Sequence, residues 1–600
     1  MNRRHALATL GAGALLAAGC TTPVAQSPAQ RLAALLHASD EAALERHPWR
    51  ALLRGDLRHA ARFGDYLSDA HLAAERTAAR SELAALAAID RSALAGVDAI
   101  ACDAFAWQRE LALREHGSEL AAVWSRLPLD HFDSWNIGFA DWSSGRGVAP
   151  YRTIADYDNG LARIDGFVRW LDLAVQRCRE GIALRIVQPR VIVERMVAQF
   201  DRFIAQPLEA SPYYGPIRLW PAALPAAERE RFARTYAAAI ERQMKPAFVR
   251  TREFLGGDYL RASRDSVAIT ALPGGPAWYR HLVEKHTTTR MTPEQIHRVG
   301  LDEVARLRGE MERVRAMAGF AGTLAQFFEH IRTDARFKPA SEQALADGYS
   351  AIGERVDAAL GKLFARRPKS RLELQPTPEH RAPTSAAGDY TPPAPDGSRP
   401  GVFYFNTHDL ASRTTPTMES LYLHEATPGH HHESSLRREN EALPATLRFN
   451  WITAYGEGWA LYAESLGAEL GLYTDPYQRF GWLEQDIWRA LRLVVDTGLH
   501  AMGWSREQTI DYLVANSSRS RGQAAAEVDR YIAWPGQALA YKIGAMTIAR
   551  LRAESAAALG SRFDVRDFHR QVLDTGMVPL AVLQAKVGRW IARGGGGGSG

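Results

Sequence analysis

Leu423-His424-Glu425-Ala426-Thr427-Pro428-Gly429-His430-His431-His432-Glu433, with Glu457-Gly458-Trp459-Ala460 one helix downstream, is the stretch that decides how the rest of the chain is read. A His-Glu pair ends an apolar run, more histidines follow, and a glutamate comes later. Two imidazoles and one carboxylate can hold Zn²⁺ with a position left open for water, whose pKa then falls to about 7. The glutamate beside the first histidine can take the proton as that water attacks a carbonyl.

The common zinc-peptidase spacing puts its two histidines four apart, on one helix face. Here His424 and His430 are six apart, roughly 240° out of phase on an unbroken helix. Pro428 and Gly429 lie between them. Proline removes a backbone donor and glycine permits unusual dihedrals. The pair therefore reads as a two-residue excursion that lets His430 take the place of the usual second ligand. His431 is the rival: it is nearly in phase with His424, but on a straight helix it lies about 10 Å further along the axis. A surface histidine cluster that binds metal adventitiously is the plain alternative, and it leaves Glu425, Pro428-Gly429 and Glu457 without a common explanation.

These residues resemble a known family, domain of unknown function family 885, grouped with the gluzincin-type zinc metallopeptidases. The pattern H-E-x-x-P-G-H-H falls on His424 to His431, and E-G-W-A-x-Y-x-E on Glu457 to Glu464. D-T-G-x-H falls on Asp496 to His500, and the R-Y…P-G-Q-A…Y-K-x-G run on Arg530 to Gly544. Thr287-Thr288-Thr289 and Thr292-Pro293-Glu294 also look like the family. The resemblance covers roughly residues 30 to 592 and is strongest after about residue 270. One departure is His432-Glu433, where the family has an apolar residue and then glutamine. The resemblance implies a zinc-dependent peptidase with Glu457 as third ligand. It also implies a mainly α, two-lobed helical body with a deep cleft and a small β-sheet next to the metal-binding helix.

Composition narrows the alternatives. In 600 residues, 46% are hydrophobic and 24% charged, and the net charge is +5. That is ordinary for a globular chain. The basic residues form no stripe interleaved with aromatics, which excludes a nucleic-acid partner. Three cysteines, Cys20, Cys102 and Cys178, make no disulfide framework. The chain opens with Arg3-Arg4, an apolar run from Ala6 to Ala18, and Gly19-Cys20. Residues 1–19 read as an export signal of lipoprotein type, and 20–30 as a linker after a lipidated Cys20. That lipid is the expected membrane contact, because no stretch is long enough to span a bilayer. Thr21-Thr22 after the cysteine favours the periplasmic face of the outer membrane. Residues 594–600, glycines and a serine, read as a linker outside the fold.

Residues 30–592 read as one large helical domain, with its motif-bearing half at about 270–592. Thr292 caps a helix, with Pro293 in the first turn and Gln295 completing a capping box. Leu301, Val304, Leu307, Met311 and Val314 form its apolar stripe, and Gly319 ends it. Ser505 with Gln508 looks like a second box. Arg367 to Gly401, with eight prolines from Pro368 to Pro400, reads as one long irregular loop. Val402-Phe403-Tyr404-Phe405-Asn406 after it reads as a strand. It is either an edge strand that pairs with an extended substrate through the Tyr404 region or an ordinary core strand.

The expected site is therefore His424, His430 and Glu457 around one Zn²⁺ per chain, with Glu425 as general base. Tyr541, a late tyrosine as in helical zinc peptidases, is the candidate to stabilise the oxyanion, and His500 is a second, with Asp496 four residues earlier fixing its tautomer. Arg530, with its bidentate fork, and Tyr531 are candidates to hold substrate. Glu464 is a candidate to orient a ligand histidine. The expected substrate is a short peptide. The alternatives are a zinc amidohydrolase acting on a non-peptide amide and a non-catalytic binding lipoprotein.

Overall fold

The computed structural model describes residues 26–379, 382 and 386–596. The export signal, Cys20 and the last residues of the terminal glycine run fall outside them. The chain is mainly helical, and its one sheet has three strands in the order β1-β3-β2: β1 Leu372–Pro376, β2 Gly388–Thr391 and β3 Gly401–Phe405. Among the described residues no helix is long and apolar enough to cross a membrane.

Local sequence explains the helix starts. Ser27 and Thr292 each accept the backbone N–H three residues on, and Gln30 and Gln295 return the bond. Ser505 accepts from Gln508 N–H, but the Gln508 side chain does not return the bond. The helix Pro293–Met317 buries Ile296, Gly300, Val304, Leu307, Met311 and Val314. Leu301, expected in that stripe, is exposed. The buried face runs through Gly300, one position earlier, where the helix packs against Leu493 and Val494.

The strand at 401–405 is neither isolated nor at an edge. β1 pairs with it in parallel and β2 antiparallel, so both of its ladders are occupied. Tyr404 lies opposite Gln375 on one side and Asp389 on the other. This corrects the expectation that a substrate adds to the sheet at Tyr404. The two partner strands come from inside the proline-rich segment that reads as a loop.

Two large apolar cores support the body. One joins Phe139, Phe167, Trp170 and Phe248 to Ile487, Val494 and Tyr531. The other joins Leu32, Phe105 and Phe403 to Leu423, Trp459 and Ile548. The helix Pro476–Ala501 is buried along nearly its whole length, including Glu484, Asp486, Arg489, Arg492 and Asp496. Charges held this deep require partners. Asp486 accepts from Lys542 at 2.6 Å and Glu527 from Arg492 at 3.1 Å.

Candidate metal centre

The helix Met418–Glu425 is buried at every residue and delivers His424 and Glu425 to its C-terminal end. The chain then leaves helical geometry through Ala426–Gly429, and a new helix, His430–Glu439, begins. A side chain at Gly429 would collide with the carbonyls of Leu423 and His424, so only glycine allows this reversal. The indole of Trp459 donates to the Pro428 carbonyl at 2.9 Å and fixes the turn from the helix Thr453–Ser465. That helix also carries Glu457 and Glu464.

His424, His430 and Glu457 come together. Glu457 Oε2 is 3.3 Å from His430 Nε2 and 3.6 Å from His424 Nε2. The two imidazole planes stand at 86°. Glu457 Oε2 is buried and has no hydrogen-bond partner among the described residues. An N–H···O bond would be about 2.7–3.2 Å. Donors around a tetrahedral zinc, with bonds of about 2.0–2.2 Å, stand roughly 3.3–3.5 Å apart. These three side chains can therefore hold a metal ion.

Glu464, fully buried, orients the first imidazole: His424 Nδ1–H donates to its Oε1 at 2.7 Å, leaving Nε2 facing Glu457. The Ser420 hydroxyl also donates to Glu464, and Arg489 lies 3.7 Å away. Burial opposes charge on His424, but Glu457 and Glu464 outweigh it and push the imidazole up to about 9. Burial would raise Glu457, yet His430 and His424 hold it well below the usual carboxylate range. The pocket therefore favours positive charge.

His431 turns away. Its Nδ1 accepts from the Tyr390 hydroxyl at 2.9 Å, and burial pulls it down to about 4. Glu425 is buried beside His424, and no hydrogen bond occupies its carboxylate among the described residues. The Tyr541 ring lies nearly parallel to that of His424, with centroids 6.4 Å apart. Its other neighbours are the Arg492 guanidinium, 4.6 Å from the ring centroid, and Gln537, whose Nε2 donates to the hydroxyl at 3.3 Å.

A protein-family comparison matches residues 48–587 to bacterial proteins of unknown function, DUF885. The chain belongs to this family. Two solved structures are similar to this DUF885 chain. One, from Colwellia psychrerythraea, is provisionally named a lipoprotein; it is 27% identical with a TM-score of 0.88, over 94% of this chain and 100% of that one. The other, from Shewanella oneidensis, is provisionally named a lipoprotein of unknown function; it is 18% identical with a TM-score of 0.66, over 94% and 99%. None of the curated proteins matches.

Other expected residues of the DUF885 chain sit elsewhere. His500 is fully buried, with Nδ1 accepting from Ile269 N–H at 3.1 Å and Nε2 meeting the Tyr531 carbonyl at 3.0 Å. Asp496 holds the Tyr279 hydroxyl and Gly536 N–H, not His500. Both side chains are thus engaged by groups of the fold itself, and Asp496 does not fix the His500 tautomer. Tyr531 is buried and shared by Arg492 and Glu527, so it too is a packing residue. Arg530 donates to Gln537 Oε1 at 2.7 Å and reaches Tyr541 only through that amide.

Three features carried no sequence expectation. Trp451 is 50% exposed with its ring 5.9 Å from that of His430. Tyr390 on β2 lies nearly parallel to His430 at 6.4 Å. The motif glycines Gly458 and Gly544 face each other where the helices Thr453–Ser465 and Ala540–Leu559 cross. A Cβ on Gly458 would lie 2.5 Å from Gly544 Cα. This contact sets the distance between Glu457 and Tyr541.

Proposed function

We propose that this DUF885 chain is a gluzincin-like zinc-dependent peptidase acting on short peptides, exported and held by a lipid on Cys20 at the periplasmic face of the outer membrane. One observation carries the reading: a buried Glu457 oxygen with no hydrogen-bond partner among the described residues, spaced from two imidazole nitrogens as donors around one ion are spaced. The two separate apolar cores support a two-lobed body with a deep cleft. The names of the similar structures support the lipoprotein part.

His424, His430 and Glu457 would hold the zinc, which when bound supplies Lewis-acid polarisation of an amide carbonyl and acidifies water. The Glu425 carboxylate takes a proton from the attacking water and returns it to the leaving amine. The Tyr541 hydroxyl accepts from Gln537, so its own hydrogen is available to the developing oxyanion. Glu464 keeps the proton of His424 on Nδ1.

Glu425→Gln tests the reading. It keeps zinc and loses hydrolysis; full activity in that variant refutes the mechanism. A second reading, a binding lipoprotein without catalysis, is favoured by the names of the two similar structures, neither of which mentions an enzyme. It predicts bound ligand with no cleavage of any peptide. A zinc amidohydrolase uses the same residues, and only substrate profiling separates it.

A further inference from the structure

Among the described residues a second set of donors meets the spacing of a metal site: His47, His71 and Glu75, whose donor atoms all lie within 4.8 Å of one another. His71 and Glu75 are four residues apart on the helix Asp69–Ala87, hence on one face. His47 stands at the corner between the helices Pro28–Arg46 and Pro48–Leu53. Its ring is 5.5 Å from that of His71, at 88°. We infer that this corner is a second, structural transition-metal site of the zinc type, built from the same two-imidazole, one-carboxylate set as the first.

Its donors are ready to bind. The His71 imidazole is 9% exposed and makes no side-chain hydrogen bond among the described residues, so no contact within the fold competes for its nitrogens. Arg46 Nε donates to Glu75 Oε1 at 2.5 Å and His47 Nε2 lies 3.0 Å from the same oxygen. Oε2 has no partner. For His47 to ligate through Nε2, that nitrogen would give up its contact with Glu75 and the ring would carry its proton on Nδ1. Two nitrogens and one oxygen suit zinc, cobalt or nickel and exclude magnesium and calcium, which take oxygen shells.

The site braces one wall of the catalytic region. The short helix beyond His47 leads to Arg54, whose guanidinium lies 4.4 Å from the Phe449 ring centroid, and Leu53 O accepts from Arg438. Phe449 precedes by two residues Trp451, the exposed ring beside His430.

The test is metal counting on protein purified without a histidine tag, stripped by chelator and refilled with zinc or cobalt. Wild type should take two equivalents. The His424→Ala/His430→Ala protein should keep one, with a cobalt visible spectrum of mixed nitrogen and oxygen ligation. Adding His71→Ala, or the milder His71→Asn, should remove it. One equivalent in wild type overturns the second site without any variant if His424→Ala/His430→Ala then binds none. A single equivalent lost with His71→Asn but kept in His424→Ala/His430→Ala upholds this site and refutes the first.

Discussion

Replacing Gly544 by alanine perturbs the proposed chemistry without touching a metal donor. The new Cβ would lie 2.7 Å from Gly458 Cα and nearer still to the Ala454 carbonyl oxygen. Relaxed carbon contacts need about 3.5–4.0 Å, so the helices Thr453–Ser465 and Ala540–Leu559 must part by roughly 1 Å. Overpacking of this kind costs about 1–3 kcal/mol of stability. Tyr541 rides on one of these helices, one turn from Gly544, and Glu457 on the other, so their separation changes while His424 and His430 lie on neither. A 1 Å misplacement of a catalytic group costs about 100-fold in rate. The expected variant is folded, keeps zinc, unfolds at lower urea, and cleaves a library peptide about 100-fold more slowly in kcat/KM. Unchanged rate and urea midpoint would refute the argument that this crossing positions Tyr541.

Three further outcomes follow from the buried polar groups. Glu464→Gln weakens the anchor on His424 Nδ1 and should lower zinc affinity by about 10–100-fold, read by competition with a chromophoric chelator; unchanged affinity would show that Glu464 does not orient the ligand. His500→Ala leaves the Ile269 amide and the Tyr531 carbonyl without their partner, costing about 1–3 kcal/mol for each buried group, while hydrolysis per folded molecule changes less than about threefold; a selective loss of kcat would restore His500 to catalysis. Burial pushes the Glu484 carboxyl up to about 7 against Arg519 and the Ser518 N–H, so the folded state keeps a proton that the unfolded state releases at about 4.5. That contribution to stability is full below pH ~4.5, shrinks as pH rises to about 7 and is flat beyond, at most about 3 kcal/mol in all. Glu484→Gln, which still accepts from Ser518, should remove this slope from the urea midpoint measured between pH 5 and 8; an unchanged slope would contradict the assignment.

The donors His424, His430 and Glu457 were legible because their spacing survives in one dimension once Pro428-Gly429 is read as a reversal. The requirement at Gly429 is steric and local. What escaped was set by distant partners. Asp496 and His500 share a helix face as their spacing implies, yet Tyr279, Gly536, Ile269 and Tyr531 come from elsewhere and occupy them. The strand at Tyr404 was visible, but its central place depends on β1 and β2, which lie in a segment whose prolines argue against strands. Leu301 misled because Gly300, without a side chain, looks neutral in a periodicity count while it marks the closest approach. Trp451 and Tyr390 reach His430 through folding alone.

The most direct measurement is a peptide-library digest by the purified protein before chelation, after chelation, and after zinc is restored. The account predicts cleavage that chelator abolishes and zinc recovers, absent throughout in Glu425→Gln. Cleavage indifferent to chelator, or a zinc-loaded wild-type protein that cuts no peptide, would contradict it.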